Sequence, residues 1–186
     1  MLANIKQDAQ SRMTKSVDAL KHELQRLRTG RASTALVEHL KVNYYGSDVP
    51  ISQVANIAIA DPRSLTITPW EKTMVQPIEK AILASDLGLT PNTAGTTIRL
   101  NMPALTEERR KDLVKKVHHI AEDHRVAMRN IRRDSNEHVK KLLKDKLISE
   151  DDDRRAHDEI QKLTDGNMQK LDQAAKTKEK EILEIK

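Results

Sequence analysis

At 186 residues the chain has room for one domain or two small ones, and with a third of its residues charged and 37% hydrophobic it suits thin amphipathic helices better than a thick globular core. It contains no cysteine, which excludes a disulfide framework, a thiolate nucleophile and a cysteine-based zinc site. The net charge of +5 is unevenly spread: residues 1–30 carry +3, 31–103 carry 0, 104–148 carry +5 and 149–186 carry −3, so a polyanionic partner would meet the helical arms and not the middle of the chain.

All six prolines, four of the five glycines and all three aromatics (Tyr44, Tyr45, Trp70) lie between Gly30 and Pro103. The flanks are free of helix breakers apart from Gly166, so they read as long helical arms around an insert rich in turns. The expected domains are a discontinuous bundle of residues 1–30 and 104–186 and an inserted domain of residues 31–103. The stretch Met1–Asp8 lacks the apolar run of a signal peptide and no segment reaches bilayer length, so a soluble cytosolic protein is expected.

In chain order, Met13, Val17, Leu20, Leu24 and Leu27 follow a 4,3,4,3 spacing that Leu2, Ile5 and Ala9 extend backwards, predicting the first helix. The insert begins with a strand, Leu40–Tyr45, running into a turn at Gly46-Ser47-Asp48. An apolar run follows from Val54 to Ala60, stopped by Asp61-Pro62, and a strand spans Ser64–Thr68. A short helix starts near Val75, with Pro77 in its first turn and Ile78, Ile82 and Leu83 on its buried side, and ends by Ser85; Thr96–Met102 is the last strand.

After Pro103, Thr106 is placed to cap a helix with Glu107 and Glu108 in its first turn. Val114, Val117, Ala121, His124, Met128, Ile131, Ser135, His138 and Leu142 continue it to about Lys146. Ser149 caps the third helix, whose acidic first turn, Glu150 to Asp153, lacks the glycine and alternating ligands of a calcium loop. Its stripe is Ala156, Ile160, Leu163, Leu171, Ala174, Ile182 and Ile185. The fold class is α+β: an elongated three-helix bundle with an inserted small α+β domain.

Motifs for chemistry are missing. The seven histidines form no ligand set, His118, His119 and Glu122 lacking both an HExxH pattern and a third ligand, and no phosphate loop or nucleophile elbow occurs. The chain reads as non-enzymatic, with no cofactor and no metal. Its distinctive feature is a basic stripe: Lys111, Lys115, His118, Arg125, Arg129 and Arg132 step by 3, 4 or 7, and Arg133 and Lys140 widen the face. Such a stripe can bridge successive phosphates of a folded RNA. The alternative is a solvated, salt-bridged face, to which Glu122 and Glu137 point.

Six segments in register along the chain, Arg28-Thr29-Gly30-Arg31-Ala32-Ser33, Tyr44-Tyr45-Gly46, Ile78-Glu79-Lys80-Ala81-Ile82, Ser85-Asp86-Leu87-Gly88-Leu89, Glu107-Glu108-Arg109-Arg110-Lys111 and Arg129-Asn130-Ile131-Arg132-Arg133-Asp134, resemble the bacterial ribosome recycling factor family. The resemblance implies an L-shaped, tRNA-sized, monomeric two-domain protein in which a three-helix bundle bears a β/α/β domain on two hinge strands. It also implies a factor that acts after termination, binds the large ribosomal subunit and splits the subunits with elongation factor G, which supplies GTP hydrolysis. By motif, its contacts to ribosomal RNA fall on Arg129, Arg132 and Arg133, with Arg110, Arg28 and Arg31 carried over more loosely. Hinges are expected at Gly30, Arg31, Pro103 and Ala104. The family often has proline where this chain has Thr34. A rival reading is a non-enzymatic coiled-coil adaptor acting through helix–helix association, which would not be monomeric.

Overall fold

The computed structural model describes residues 1–184, which divide into two compact units: Met1–Arg28 with Glu107–Glu184, and Thr29–Thr106. The first unit contains helices α1 (Leu2–Arg26), α3 (Glu107–Lys144) and α4 (Glu150–Glu184); the second contains the short helix α2 (Val75–Ala84) and six strands.

Each long helix has one apolar stripe in an otherwise charged surface, so none can bury its stripe alone. In α1 the buried residues are Ala9, Met13, Val17, Leu20 and Leu24. Leu27, expected to continue the seam, is extended (φ −68°, ψ 121°) and closes the helix. Contacts fix the helix directions. Ser16 meets His124 and Arg12 meets Asp134, so α1 and α3 are antiparallel; Arg125 meets Asp172 and His118 meets Glu179, so α3 and α4 are antiparallel too. Met13, Leu20, Met128, Ile160 and Leu171 are completely buried in this bundle.

The seam of α3 is Leu113, Val117, Ala121, Met128, Ile131, Ser135 and Val139, whereas the expected series began at Val114 and ended on His138 and Leu142. His138 is exposed. The reason is geometric: a strict 3,4 alternation has a period of 3.5, whereas an α-helix turns every 3.6 residues or so, and the stripe drifts by about 20° per heptad. Over the length of α3 that drift moves the buried position by one residue. In α4 the inner positions are Ala156, Ile160, Thr164, Asn167, Leu171, Ala175 and Ile182. Thr164, Asn167 and Ala175 displace the expected Leu163 and Ala174, which are half-buried; Ile185 lies outside the described residues.

The polar side chains in the seam are satisfied locally. Ser135 Oγ donates to Ile131 O at 2.9 Å, Thr164 Oγ1 to Ile160 O at 2.8 Å and Asn167 Nδ2 to Leu163 O at 2.8 Å, each the carbonyl one turn back. Asn167 Oδ1 alone among these groups is buried without a partner.

The α3–α4 connection closes both helix ends. Leu147 N–H donates to Leu142 O and Lys146 N–H to Leu143 O, both at 2.9 Å, a Schellman arrangement that puts Lys146 at φ 58°. Two residues later Ser149 Oγ accepts the Asp152 N–H at 3.1 Å, and Asp152 Oδ2 accepts the Ser149 N–H at 3.2 Å. This reciprocal box is what a serine three residues before an acid encodes.

The second unit holds two antiparallel sheets. One pairs β1 (Lys41–Tyr44) with β2 (Ser47–Pro50); the other has the order β3 (Ala55–Asp61), β4 (Ser64–Pro69), β6 (Thr97–Asn101), β5 (Pro91–Ala94). In the central strand β4, Leu65 and Ile67 face the core, opposite Leu100 and Ile98 of β6. Ile78 and Ile82 of α2 join them in one core, but Leu83, expected on the buried side, is 61% exposed. The chain's entry and exit are tied to the β3–β4 turn, Ala32 N–H donating to Pro62 O (2.8 Å) and Met102 N–H to Arg63 O (2.7 Å).

Two stability predictions follow from these helices. Gly166 is exposed in the middle of α4, and a Cβ added there would meet nothing within 4 Å. Gly166→Ala is expected to raise stability by up to about 1 kcal/mol in denaturant unfolding, because alanine removes glycine's excess backbone entropy in the unfolded chain. At the capping box, hydrogen bonds from the Ser149 hydroxyl and then the Ser149 backbone hold the Asp152 carboxyl below its ordinary pKa. The folded value is the lower one, so the box's stabilisation is present above the unfolded pKa and is lost as pH falls through the folded pKa. Asp152→Asn should therefore lower Tm at neutral pH and lose that deficit in acid, as followed by circular dichroism.

Candidate nucleic-acid interface

The basic stripe lies on α3, where at about 100° per residue Arg129, Arg133 and Lys140 point away from the Met128–Ile131–Ser135 seam and Arg132 flanks it. Its members are in different states. Lys111 pairs with Glu107 at 3.0 Å, and His118 Nε2 lies 3.1 Å from Glu179. Arg125 is the most engaged: its Nε and Nη2 donate to Asp172 Oδ1 at 3.0 and 2.8 Å, and its Nη1 to Glu122 at 3.1 Å. Arg129 donates to the other oxygen of Glu122 at 3.2 Å from both Nη atoms. The Glu122 carboxyl is accordingly held below the usual glutamate range, first by the hydrogen bond from Arg125.

Further along the helix the pairing stops. Arg132 is half-buried along its stem and makes one hydrogen bond, Nη1 to Gln161 Oε1 at 3.3 Å. Arg133 and Lys140 are exposed, and no ion pair or hydrogen bond engages either among the described residues. The stripe thus divides into an N-terminal part that, the exposed Lys115 apart, is tied to α4 and to its own helix, and a C-terminal part that presents cationic groups to solvent.

The other candidates lie elsewhere. Arg110 is about 19 residues before Arg129, roughly 30 Å along the same helix, half-buried, with its Nε buried and without a hydrogen-bond partner. Arg28 is exposed just beyond α1, toward the end of the bundle where α3 begins, and Arg31 is exposed in the second unit. The acceptors that meet the stripe from outside its own helix, Asp172 at Arg125, Glu179 at His118 and Gln161 at Arg132, are not legible in the stripe's spacing. All three lie on α4, and only the net −3 of residues 149–186 hinted at such a complement.

The other histidines are bundle residues, except His39, which lies in the second unit with its Nδ1 3.1 Å from Ala35 O. His124, at a seam position, has Nδ1 3.1 Å from Ser16 Oγ and Nε2 3.6 Å from Glu23; His119 lies 3.8 Å from Asp123. Among the described residues no group of three or more His, Asp or Glu side chains is arranged to hold a metal ion, and no helix is long and apolar enough to cross a membrane.

A three-helix bundle with a cationic helix face, joined at two points to a separate α+β unit, defines the class of protein. The family model for ribosome recycling factor matches residues 20–183. The ribosome-recycling factor of Thioalkalivibrio sulfidiphilus is 60% identical over 185 residues, covering 100% of both chains. Among solved structures, a solution structure of a ribosome recycling factor is 44% identical with a TM-score of 0.74, covering 98% of this chain and 97% of that one. A Thermus thermophilus factor, placed with Escherichia coli elongation factor G on the post-termination complex, is 50% identical with a TM-score of 0.63, covering 98% and 99%. The chain belongs to the ribosome recycling factor family.

The division of the stripe has a direct consequence for stability. Arg125→Ala removes a cross-helix ion pair whose partner Asp172 is half-buried, and should cost about 1 kcal/mol in urea unfolding. Arg133→Ala, on the solvated face, is expected to change stability by less than about 0.5 kcal/mol.

Proposed function

We propose that this chain recycles post-termination ribosomes: it binds the large subunit through the outer face of α3 and acts with elongation factor G to split the subunits, releasing mRNA and tRNA. The observation that carries the reading is the cationic segment Arg132, Arg133 and Lys140, in which no side chain is paired with a carboxylate among the described residues, next to Arg129, which shares its guanidinium with Glu122. Guanidinium groups at this spacing suit phosphates of a folded RNA, read by shape. The placement of the Thermus thermophilus relative on a post-termination complex with elongation factor G supports the same role here.

In this reading the protein is cytoplasmic, has no catalytic residue and leaves nucleotide hydrolysis to its partner. The bundle is a lever, and the hinges are Gly30-Arg31 and Pro103-Ala104. They lie just outside the two hydrogen bonds that tie Ala32 and Met102 to the β3–β4 turn, where a rotation would break no ladder. Gly30 has φ 74°, and a Cβ there would lie 3.1 Å from Leu105 Cγ, so both backbone conformation and space favour glycine. The adaptor reading is disfavoured because the apolar seams of the three helices are buried within one chain.

Arg132→Ala tests the proposal in co-sedimentation with isolated large subunits across a salt series. Affinity should fall at least about tenfold, the loss of one charge-assisted hydrogen bond, and the salt dependence should become shallower because one fewer phosphate is neutralised. Unchanged binding in a folded variant would leave this face as solvated surface only.

A further inference from the structure

Every aromatic side chain of the protein converges on one place in the second unit. Tyr44 and Tyr45 end β1 and begin the turn to β2, Trp70 follows β4, and the two tyrosine rings meet edge to face at 4.6 Å and 72°. Between them stands Glu71. Tyr44 Oη donates to Glu71 Oε1 at 2.6 Å and Tyr45 Oη to Glu71 Oε2 at 2.7 Å. Tyr44, Val54, Trp70, Glu71 and Met74 line an open cavity of about 370 Å³.

Three features of this cluster are unexplained by the fold. Trp70 is 69% exposed and Tyr45 76% exposed, in a chain with only three aromatic residues to place. Tyr45 occupies a left-handed conformation (φ 48°) in a two-residue hairpin turn where asparagine or glycine is the ordinary choice; the strain is retained at the position that brings its hydroxyl to Glu71. Lastly, Glu71 is an anion without a cation: the two phenols, Tyr44 foremost, hold its carboxyl below the usual range, and no lysine, arginine or histidine pairs with it among the described residues.

A carboxylate that accepts one hydrogen bond at each oxygen still has a lone pair free on each. Two acceptors side by side match the planar fork of a guanidinium, and aromatic faces attract the same cation electrostatically. We infer that the cavity lined by Tyr44, Trp70 and Glu71, with Tyr45 bonded to Glu71, is a docking site for an arginine side chain presented by a protein partner. A nucleic acid is the wrong complement, since Glu71 would repel phosphates and residues 31–103 carry no net positive charge to offset it. The site lies in a different unit from the cationic face of α3 and does not depend on that face's role.

Trp70 is the only tryptophan, so its fluorescence in the full chain reports on the site directly. The probe is the peptide acetyl-Gly-Arg-Gly-amide, with the citrulline peptide as an isosteric neutral control. A saturable change with a Kd in the range of about 1–10 mM is expected for arginine, as suits a single cation in an aromatic site, with citrulline at least about tenfold weaker. Glu71→Gln should weaken arginine binding at least about tenfold, with circular dichroism to establish folding. Tyr45→Phe, which keeps the ring and removes one donor, provides a second variant and should weaken it by about threefold. Equal binding of citrulline, undiminished binding by folded Glu71→Gln, or no saturable change with the arginine peptide would overturn the inference. So would tighter binding of spermidine or of a short single-stranded RNA than of the peptide, which would assign the cavity to a free polyamine or to nucleic acid.

Discussion

The bundle depends on one constraint: α1 has an apolar stripe and nothing near it in sequence to cover that stripe. Its partners begin about 80 residues later, at Glu107, and the nearest chemistry along the chain is a turn-rich segment with a core of its own. Burying side chains such as Met13 and Leu20 is worth about 1.5–3 kcal/mol each, more than the slow logarithmic cost of closing a longer loop. An insert of this size between α1 and α3 is therefore tolerable, and it folds as a unit in its own right.

The same packing decides what the charges can do. Because α3 and α4 run antiparallel, the acids of α4 meet the first half of the basic stripe, where Asp172 takes Arg125 and Glu179 takes His118. Exposed pairs of this kind add little stability individually. Their larger effect is on availability, since a guanidinium already forked onto a carboxylate is a poorer phosphate ligand than one facing water. Beyond Arg129 the stripe meets only Gln161, a neutral acceptor, among the described residues, and keeps its charge for a partner. An electrostatic surface is thus shaped as much by which acids a neighbouring helix supplies as by the bases it displays.

In the second unit the short edge strands β2 and β5 are the parts least written in the sequence. β2 and β5 are four residues each, contain Pro50 and Pro91 and lie at sheet edges, where a missing N–H costs no ladder bond. Neither shows apolar alternation, and neither was anticipated; the central strand β4, with Leu65 and Ile67 facing inward, was. Strands with one buried face announce themselves by period, whereas short polar edges are recruited by the strand they pair with.

Residue type and spacing by themselves determined that two arms with no helix breaker but Gly166 flank a turn-rich insert, where the helices begin and end to within a few residues, that Ser149 caps α4 ahead of an acidic first turn, and that the cationic residues of α3 share a face. These properties are local, set by backbone sterics, a 3.6-residue turn and hydrogen bonds across three or four positions. Tertiary structure decided the rest. It moved the seam from Val114 and His138 to Leu113 and Val139, put Thr164 and Asn167 where an apolar pattern had left a gap, and divided the stripe between ion pairs and open surface. It also gathered Tyr44, Trp70 and Glu71 around one cavity and set Tyr45 against Glu71. Each of these outcomes depends on which residue of a distant segment stands opposite, and that follows from how whole helices and strands pack, which no short window of sequence contains.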